Sequence, residues 1–435
     1  MQTINIYTLT SPLHDEQAVN KATEAFLAAL GLGHTMKGSR FDDYGGGGLD
    51  LIYVRTGGAE GIIKPLLPLL QARSAQPIYL LTSGQNNSLA ASMEILAYLR
   101  QHDMRGEILH GEADYIRRRV RLLATVEQAR RRLRGQRLGV VGQPSDWLIA
   151  SGIDREVVKQ RLGIEFVDIP MEEVLETHAK VTAQSSQVTA QSSQTASDAE
   201  DMGTEAAAGK HDMMVADLAG HAPGGAVRSA LPGALHIYQT LKEVVARHRL
   251  QGFSIRCFDL LTAVHNTGCV ALALLNGEGV TAGCEGDLPS LLSMSVSQAL
   301  TGLTGFQANP ARIHPQSGEL LFAHCTIPFN MVGRYELDTH FESGIGVGVR
   351  GYMAEGPVTL FKLSGMLDRF FAAEGTLVRS QGEENLCRTQ QVIRLDNPEA
   401  ARYFLTDPIG NHHIILPGHC RALLEEFLHG CLKPR

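Results

Sequence analysis

Three short segments set side chains capable of proton transfer or metal ligation at the ends of apolar runs. Gly283-Cys284-Glu285-Gly286-Asp287-Leu288-Pro289 closes one such run and opens a helix expected near 290–303. Asp287 suits the role of helix cap, which leaves Glu285 as a carboxylate that capping does not explain. In Ala323-His324-Cys325-Thr326-Ile327-Pro328 a histidine terminates an apolar strand; taken alone, such a histidine is more often a hydrogen-bonded core residue than a ligand. The third segment is Gly410-Asn411-His412-His413-Ile414-Ile415-Leu416-Pro417-Gly418-His419. Strand alternation sends His412 and His413 to opposite faces, so one of them at most is expected to serve a given site. Carboxylates and imidazoles so placed suit proton relay or the ligation of a divalent cation.

Other chemistries lack their residues. No Walker sequence, no His-Glu-x-x-His and no Gly-x-Ser-x-Gly occurs, and Gly45-Gly46-Gly47-Gly48 precedes a strand, whereas a dinucleotide fingerprint follows one. Lys and Arg number 39 against 46 Asp and Glu, a net charge of −7, so no overall basic field draws the chain to nucleic acid or anionic lipid. The triplets Arg117-Arg118-Arg119 and Arg130-Arg131-Arg132 share their segment with Glu112, Asp114 and Glu127 and read as a solvated helix face. No stretch approaches the roughly 18 apolar residues of a membrane helix, and Met1-Gln2-Thr3-Ile4-Asn5-Ile6 lacks a basic region followed by an apolar one. A cytoplasmic location is the expectation, with a neutral small molecule or another protein chain as partner. The seven cysteines all lie in the second half without Cys-x-x-Cys spacing, which favours reduced thiols over a zinc cluster.

The elements that must position these residues follow from periodicity. Short apolar strands alternate with amphipathic helices through the first third of the chain, the order of a parallel sheet with crossover helices. A new strand, Leu138-Gly139-Val140-Val141-Gly142, starts the pattern again, and beyond about residue 304 short strands follow one another without long helices. The fold class is therefore α/β: two open parallel-sheet domains, 1–136 and 137–304, followed by a β-rich C-terminal domain, 305–435. Within the second domain, 180–214 is a Ser/Thr/Gln/Ala-rich insertion. Val181-Thr182-Ala183-Gln184-Ser185-Ser186-Gln187 is repeated as 188–194, and the segment is expected to be mobile, or helical only in context.

Read in order, several fragments resemble the L-fucose isomerase and L-arabinose isomerase superfamily. Val54-Arg55-Thr56-Gly57-Gly58-Ala59-Glu60 and the segment from Asn86-Asn87-Ser88 to Leu96 are similar to strand-end loops of that family. Ser254-Ile255-Arg256-Cys257-Phe258 and Cys284-Glu285-Gly286-Asp287 are similar to its central segments, and Asn411-His412 with Pro417-Gly418-His419 to its carboxyl-terminal ligand loop. The resemblance implies a metal-dependent aldose–ketose isomerase, commonly with Mn²⁺ held by two carboxylates and a histidine. It also implies a site between the second and third domains, closed by a neighbouring subunit of a homo-oligomer, a trimer or hexamer.

Carried onto this chain, Glu285 matches the first carboxylate and His412 the histidine, while the position of the second carboxylate is occupied by Asn309. Glu285 and Asn309 are then the catalytic positions, Glu285, Asn309 and His412 the metal ligands, and His324, Asn87 and Arg256 candidates for binding the sugar. An amide offers only a neutral oxygen to a cation and takes no proton at neutral pH. The metal is then held more weakly, another group such as Asp287, His324 or Glu342 relays the second proton, or catalysis has been lost. The last case leaves a carbohydrate-binding or regulatory protein on the isomerase fold; a lyase or epimerase acting on a sugar acid shares the enediolate chemistry.

Overall fold

The computed structural model describes residues 3–73, 77–192 and 214–432, and the chain divides into two compact units, Met1–Arg131 and Arg132–Arg435. The first unit is built on a five-stranded parallel sheet of β1 (Ile4–Leu9), β2 (Thr35–Gly38), β3 (Leu49–Val54), β4 (Ile78–Leu81) and β5 (Gly106–Leu109), in the order β2-β1-β3-β4-β5. Alternation divides its apolar side chains between two cores. Tyr7, Leu9, Ile52, Val54, Ile78 and Leu80 belong to one; Ile4, Ile6, Leu51, Tyr53, Tyr79 and Leu81 belong to the other. A sheet covered on both faces requires such nearly unbroken apolar strands.

In the second unit, β6 (Arg137–Val141), β7 (Glu165–Ile169), β8 (Gly252–Ile255) and β9 (Thr281–Cys284) form a four-stranded parallel sheet, ordered β7-β6-β8-β9. The chain then enters β10 (Phe306–His314) and β11 (Glu319–His324), leaves through a separate ribbon of β12 (Arg334–Asp338) and β13 (Gly348–Tyr352), and returns as β14 (Gly356–Leu363), β15 (Phe370–Gln381), β16 (Thr389–Leu395) and β17 (His413–Pro417). Six of these close into an antiparallel barrel in the order β10-β11-β16-β15-β14-β17. Phe253, Ile255 and Ala282 of the parallel sheet and Phe306, Phe322, Leu360 and Ile415 of the barrel belong to a single core.

Of the two expectations for the low-complexity segment, mobile or helical in context, the described part takes the second. Helix Met171–Ser192 runs through the whole first copy of the repeat and into the second. Val181 is buried at 4% exposure, and the hydroxyls of Ser185 and Ser186 bond back to the carbonyls of Val181 and Thr182. The buried Val181 and serines satisfied by their own helix accompany helix in a polar sequence here. The rest of the insertion, 193–213, lies outside the described residues. Ion pairs hold part of the arginine-rich helix Ala113–Leu133: Arg117 pairs with Asp114 and Arg131 with Glu127 along the helix, and Arg119 reaches Glu107 on β5. No helix among the described residues is long and apolar enough to cross a membrane.

Candidate active site

The carboxyl ends of three neighbouring parallel strands, the usual ligand side of such a sheet, meet at Glu285. β9 ends at Cys284, and the next two residues are both left-handed, Glu285 at φ 63° and Gly286 at φ 69°. For a glutamate this conformation costs roughly 1–2 kcal/mol, a strain of the kind that gathers at functional sites. It is held by the loop that follows β6: Ser145 donates its N–H to the Glu285 carbonyl at 3.0 Å, and Gly286 donates to Ile255 at 3.0 Å. A Cβ on Gly286 would stand 2.7 Å from the Gln143 carbonyl oxygen, so only glycine admits that loop.

The two carboxylate oxygens of Glu285 have separate partners. Oε1 lies 3.4 Å from Nε2 of His412 and 3.7 Å from Nε2 of His324, while Oε2 accepts a 2.7 Å hydrogen bond from the indole of Trp147. Burial raises the proton affinity of Glu285, but the two imidazoles outweigh it and hold the carboxyl well below the usual range. Its ionised form prevails at neutral pH.

His412 is fixed from behind. Its Nδ1 stands 2.9 Å from Oδ2 of Asp287, which caps the helix Leu288–Thr301 through the Ser290 N–H at 2.8 Å and also accepts from the Ser290 hydroxyl. Lys362, fully buried on β14, donates to the Ser290 hydroxyl at 2.8 Å and lies 3.4 Å from the same Asp287 oxygen. Burial disfavours the imidazolium of His412, yet Asp287 and Glu285 overcome this and raise its pKa to about 9. His413 takes the opposite course, as alternation requires. Its Nε2 reaches the Tyr403 hydroxyl at 3.1 Å within a box of Phe322, Phe371 and Phe404, and burial lowers its pKa to about 3.

Glu285, His324 and His412 thus bring three ligating atoms within 4.8 Å of one another. Nε2 of His412, Nδ1 of His324 and Oδ1 of Asn309 are buried without a hydrogen bond, although buried polar atoms are nearly always satisfied. Asn309 stands on β10 opposite Ala323, the residue before His324. One carboxylate and two imidazoles with their ligating atoms this close are a donor set that fits a divalent cation. His324, a sugar-binding candidate in the sequence, stands within this cluster.

The guanidinium of Arg256 grips Asp146 at 2.8 and 3.1 Å, Asp259 at 3.0 Å and the Pro144 carbonyl at 2.9 Å, which ties down the 142–154 loop whose Ser145 and Trp147 bond to Glu285. Asn87 belongs to the first unit, left-handed at φ 58° at the start of helix Ser88–Gln101. Glu342 is exposed. Sequence reasoning passed over Trp147 and Lys362. The signals were present: Trp147 is the single tryptophan of the chain, and Lys362 is the lone charge in the apolar run Val358-Thr359-Leu360-Phe361-Lys362-Leu363.

Fold and site together define an α/β protein with a barrel and a carboxylate–histidine centre at its parallel strand ends. Comparison with known proteins narrows this. The chain is similar to the sulfoquinovose isomerase of Clostridium sp. (strain MSTE9), 27% identical over 128 residues that cover 29% of this chain and 27% of that protein. It is similar also to the sulfoquinovose isomerase of Alkalicoccus urumqiensis, 25% identical over 134 residues, 28% of this chain and 29% of the relative. The matches span less than a third of these relatives' length. No family model matches the chain. These findings support a sugar isomerase at a coarse level.

Proposed function

We propose that the protein is a divalent-metal-dependent aldose–ketose isomerase, with Mn²⁺ as its ion. The observation that carries this reading is the convergence of Glu285, His324 and His412 with buried donor atoms left unsatisfied. Glu285, His324, His412 and the amide oxygen of Asn309 would hold the cation, which when bound supplies electrophilic stabilisation of negative charge developing on the sugar oxygens. Glu285, ionised and close to the histidines, takes the proton from the carbon beside the sugar carbonyl and returns it to the former carbonyl carbon, while the hydroxyl proton of the first carbon passes to the former carbonyl oxygen within the substrate's enediol. Asp287 holds the Nδ1 side of His412, so that Nε2 faces Glu285. Asn309 cannot share the proton work, which leaves the carbon-to-carbon transfer to Glu285.

The names of the relatives make a sulfonated hexose one candidate substrate. The test is to strip the protein of metal, add Mn²⁺, and offer a panel of aldoses that includes sulfoquinovose while following ketose formation. Turnover that disappears with chelator and returns with Mn²⁺ is expected. Asn309 favours a second reading, a carbohydrate-binding protein without catalysis, and saturable sugar binding with no ketose from any sugar would establish it.

A further inference from the structure

We propose that Trp147 is the platform on which the carbon face of the sugar stacks, and that its indole N–H sets the orientation of the catalytic carboxylate. The proposal rests on the sugar isomerase reading above and deepens it at the same site. Trp147 lies in the loop following β6, Phe258 follows β8 and Glu285 follows β9, so neighbouring strands of one parallel sheet deliver all three at their carboxyl ends. Trp147 packs edge-on against Phe258 with ring centroids 5.1 Å apart, and Phe258 meets the His340 ring at 5.8 Å. These contacts, with Arg256 gripping Asp146 next in sequence, fix the plane of the indole.

Despite these contacts 53% of Trp147 remains exposed. A large aromatic ring left half in water beside a mostly buried carboxylate presents a flat apolar surface where a substrate must lie. The C–H face of a sugar is the complement of that surface, while its hydroxyls are left to polar groups. The polar edge of the same ring does separate work. The 2.7 Å bond from Nε1 to Oε2 reserves one oxygen of Glu285 and leaves Oε1 toward His412 and His324.

The two roles come apart in two substitutions. Trp147→Ala removes both, and KM for the aldose with the fastest turnover should rise about tenfold, the equivalent of about 1.4 kcal/mol, with kcat also reduced. Trp147→Phe restores a stacking surface but no N–H, so KM should return to within about threefold of the natural value while kcat stays reduced. Because Trp147 is the single tryptophan, intrinsic emission reports this residue alone. The Mn²⁺-loaded protein titrated with the same aldoses should show a saturable change. KM unchanged in Trp147→Ala overturns the platform. If no aldose turns over, the isomerase reading has failed on its own. Emission then decides separately: a saturable change with an aldose retains the platform as a binding surface, and no change with any of them removes it.

Discussion

His412 carries three relations that can be separated by substitution, to Asp287, to Glu285 and through Asp287 to Lys362. Asp287→Asn keeps the shape of the side chain but weakens the acceptor that orients the imidazole. Outer-shell changes of this kind cost about 10- to 100-fold in metal affinity, so Mn²⁺ binding measured on stripped protein should weaken by that order with the fold retained. Glu285→Gln should lower turnover by at least about 10³-fold, since removal of a proton acceptor forfeits general-base catalysis, whereas Asn309→Asp adds a ligand charge and should tighten Mn²⁺ binding. Retained turnover in Glu285→Gln would move the base elsewhere, and weaker binding in Asn309→Asp would give the amide a role of its own. At this scale the sequence was legible where a polar residue interrupts an apolar run, as at Glu285, His324 and His412. It was not legible where one residue acts through another. Asp287 reads correctly as a cap, yet its second oxygen serves a histidine 125 positions away, a relation that the barrel's closure creates and no local pattern records.

Among the elements, strands and helices with a clear period were readable, whereas composition alone left the start of the 180–214 segment open between a mobile stretch and a helix formed in context. Helix Met171–Ser192 is polar enough to read as linker, but Val181 is buried and Glu173 binds Arg247 at 2.8 Å and His248 at 2.8 Å on the helix Gly225–His248. Val181→Ala should cost about 2 kcal/mol by the loss of buried apolar surface, which a denaturant titration would read; no loss would return this stretch to the status of a linker. The Glu173 pair should contribute at most about 1 kcal/mol, being partly exposed. Its hydrogen bond to His248 holds the carboxyl below its ordinary value. A depressed acid stabilises the fold above its unfolded pKa of about 4.3 and loses that contribution as pH falls through the folded value. Glu173→Gln should therefore lower stability near neutral pH, with the difference from the natural protein shrinking in acid. An equal difference at both pH values would place the effect in packing and not in charge.

At the scale of the molecule, the two parallel sheets and the β-rich end follow from periodicity. Closure of six strands into a barrel does not, because strand order depends on pairings between distant segments such as β10 with β17. That closure makes the site a property of the whole second unit: Glu285 comes from the parallel sheet, His324 from β11 and His412 from the residue before β17. Ligands gathered from such distant segments are not assembled in an unfolded chain, so a cation held by them binds the native state alone. Binding of that kind stabilises by about 2.7 kcal/mol when the free ion stands at a hundred times its Kd. Near 2–4 °C per kcal/mol for a domain of this order of size, stripping the metal should lower Tm by roughly 5–10 °C, and adding Mn²⁺ should restore it. The Glu285→Gln protein, with one ligand charge fewer, should show a smaller shift, and a variant in the group of half-buried Glu374 with exposed Asp396 and His419 should keep the full one. A chelator that removes all bound ion without moving Tm would show that the three donors close the core by themselves and that the centre holds no cation in the folded protein.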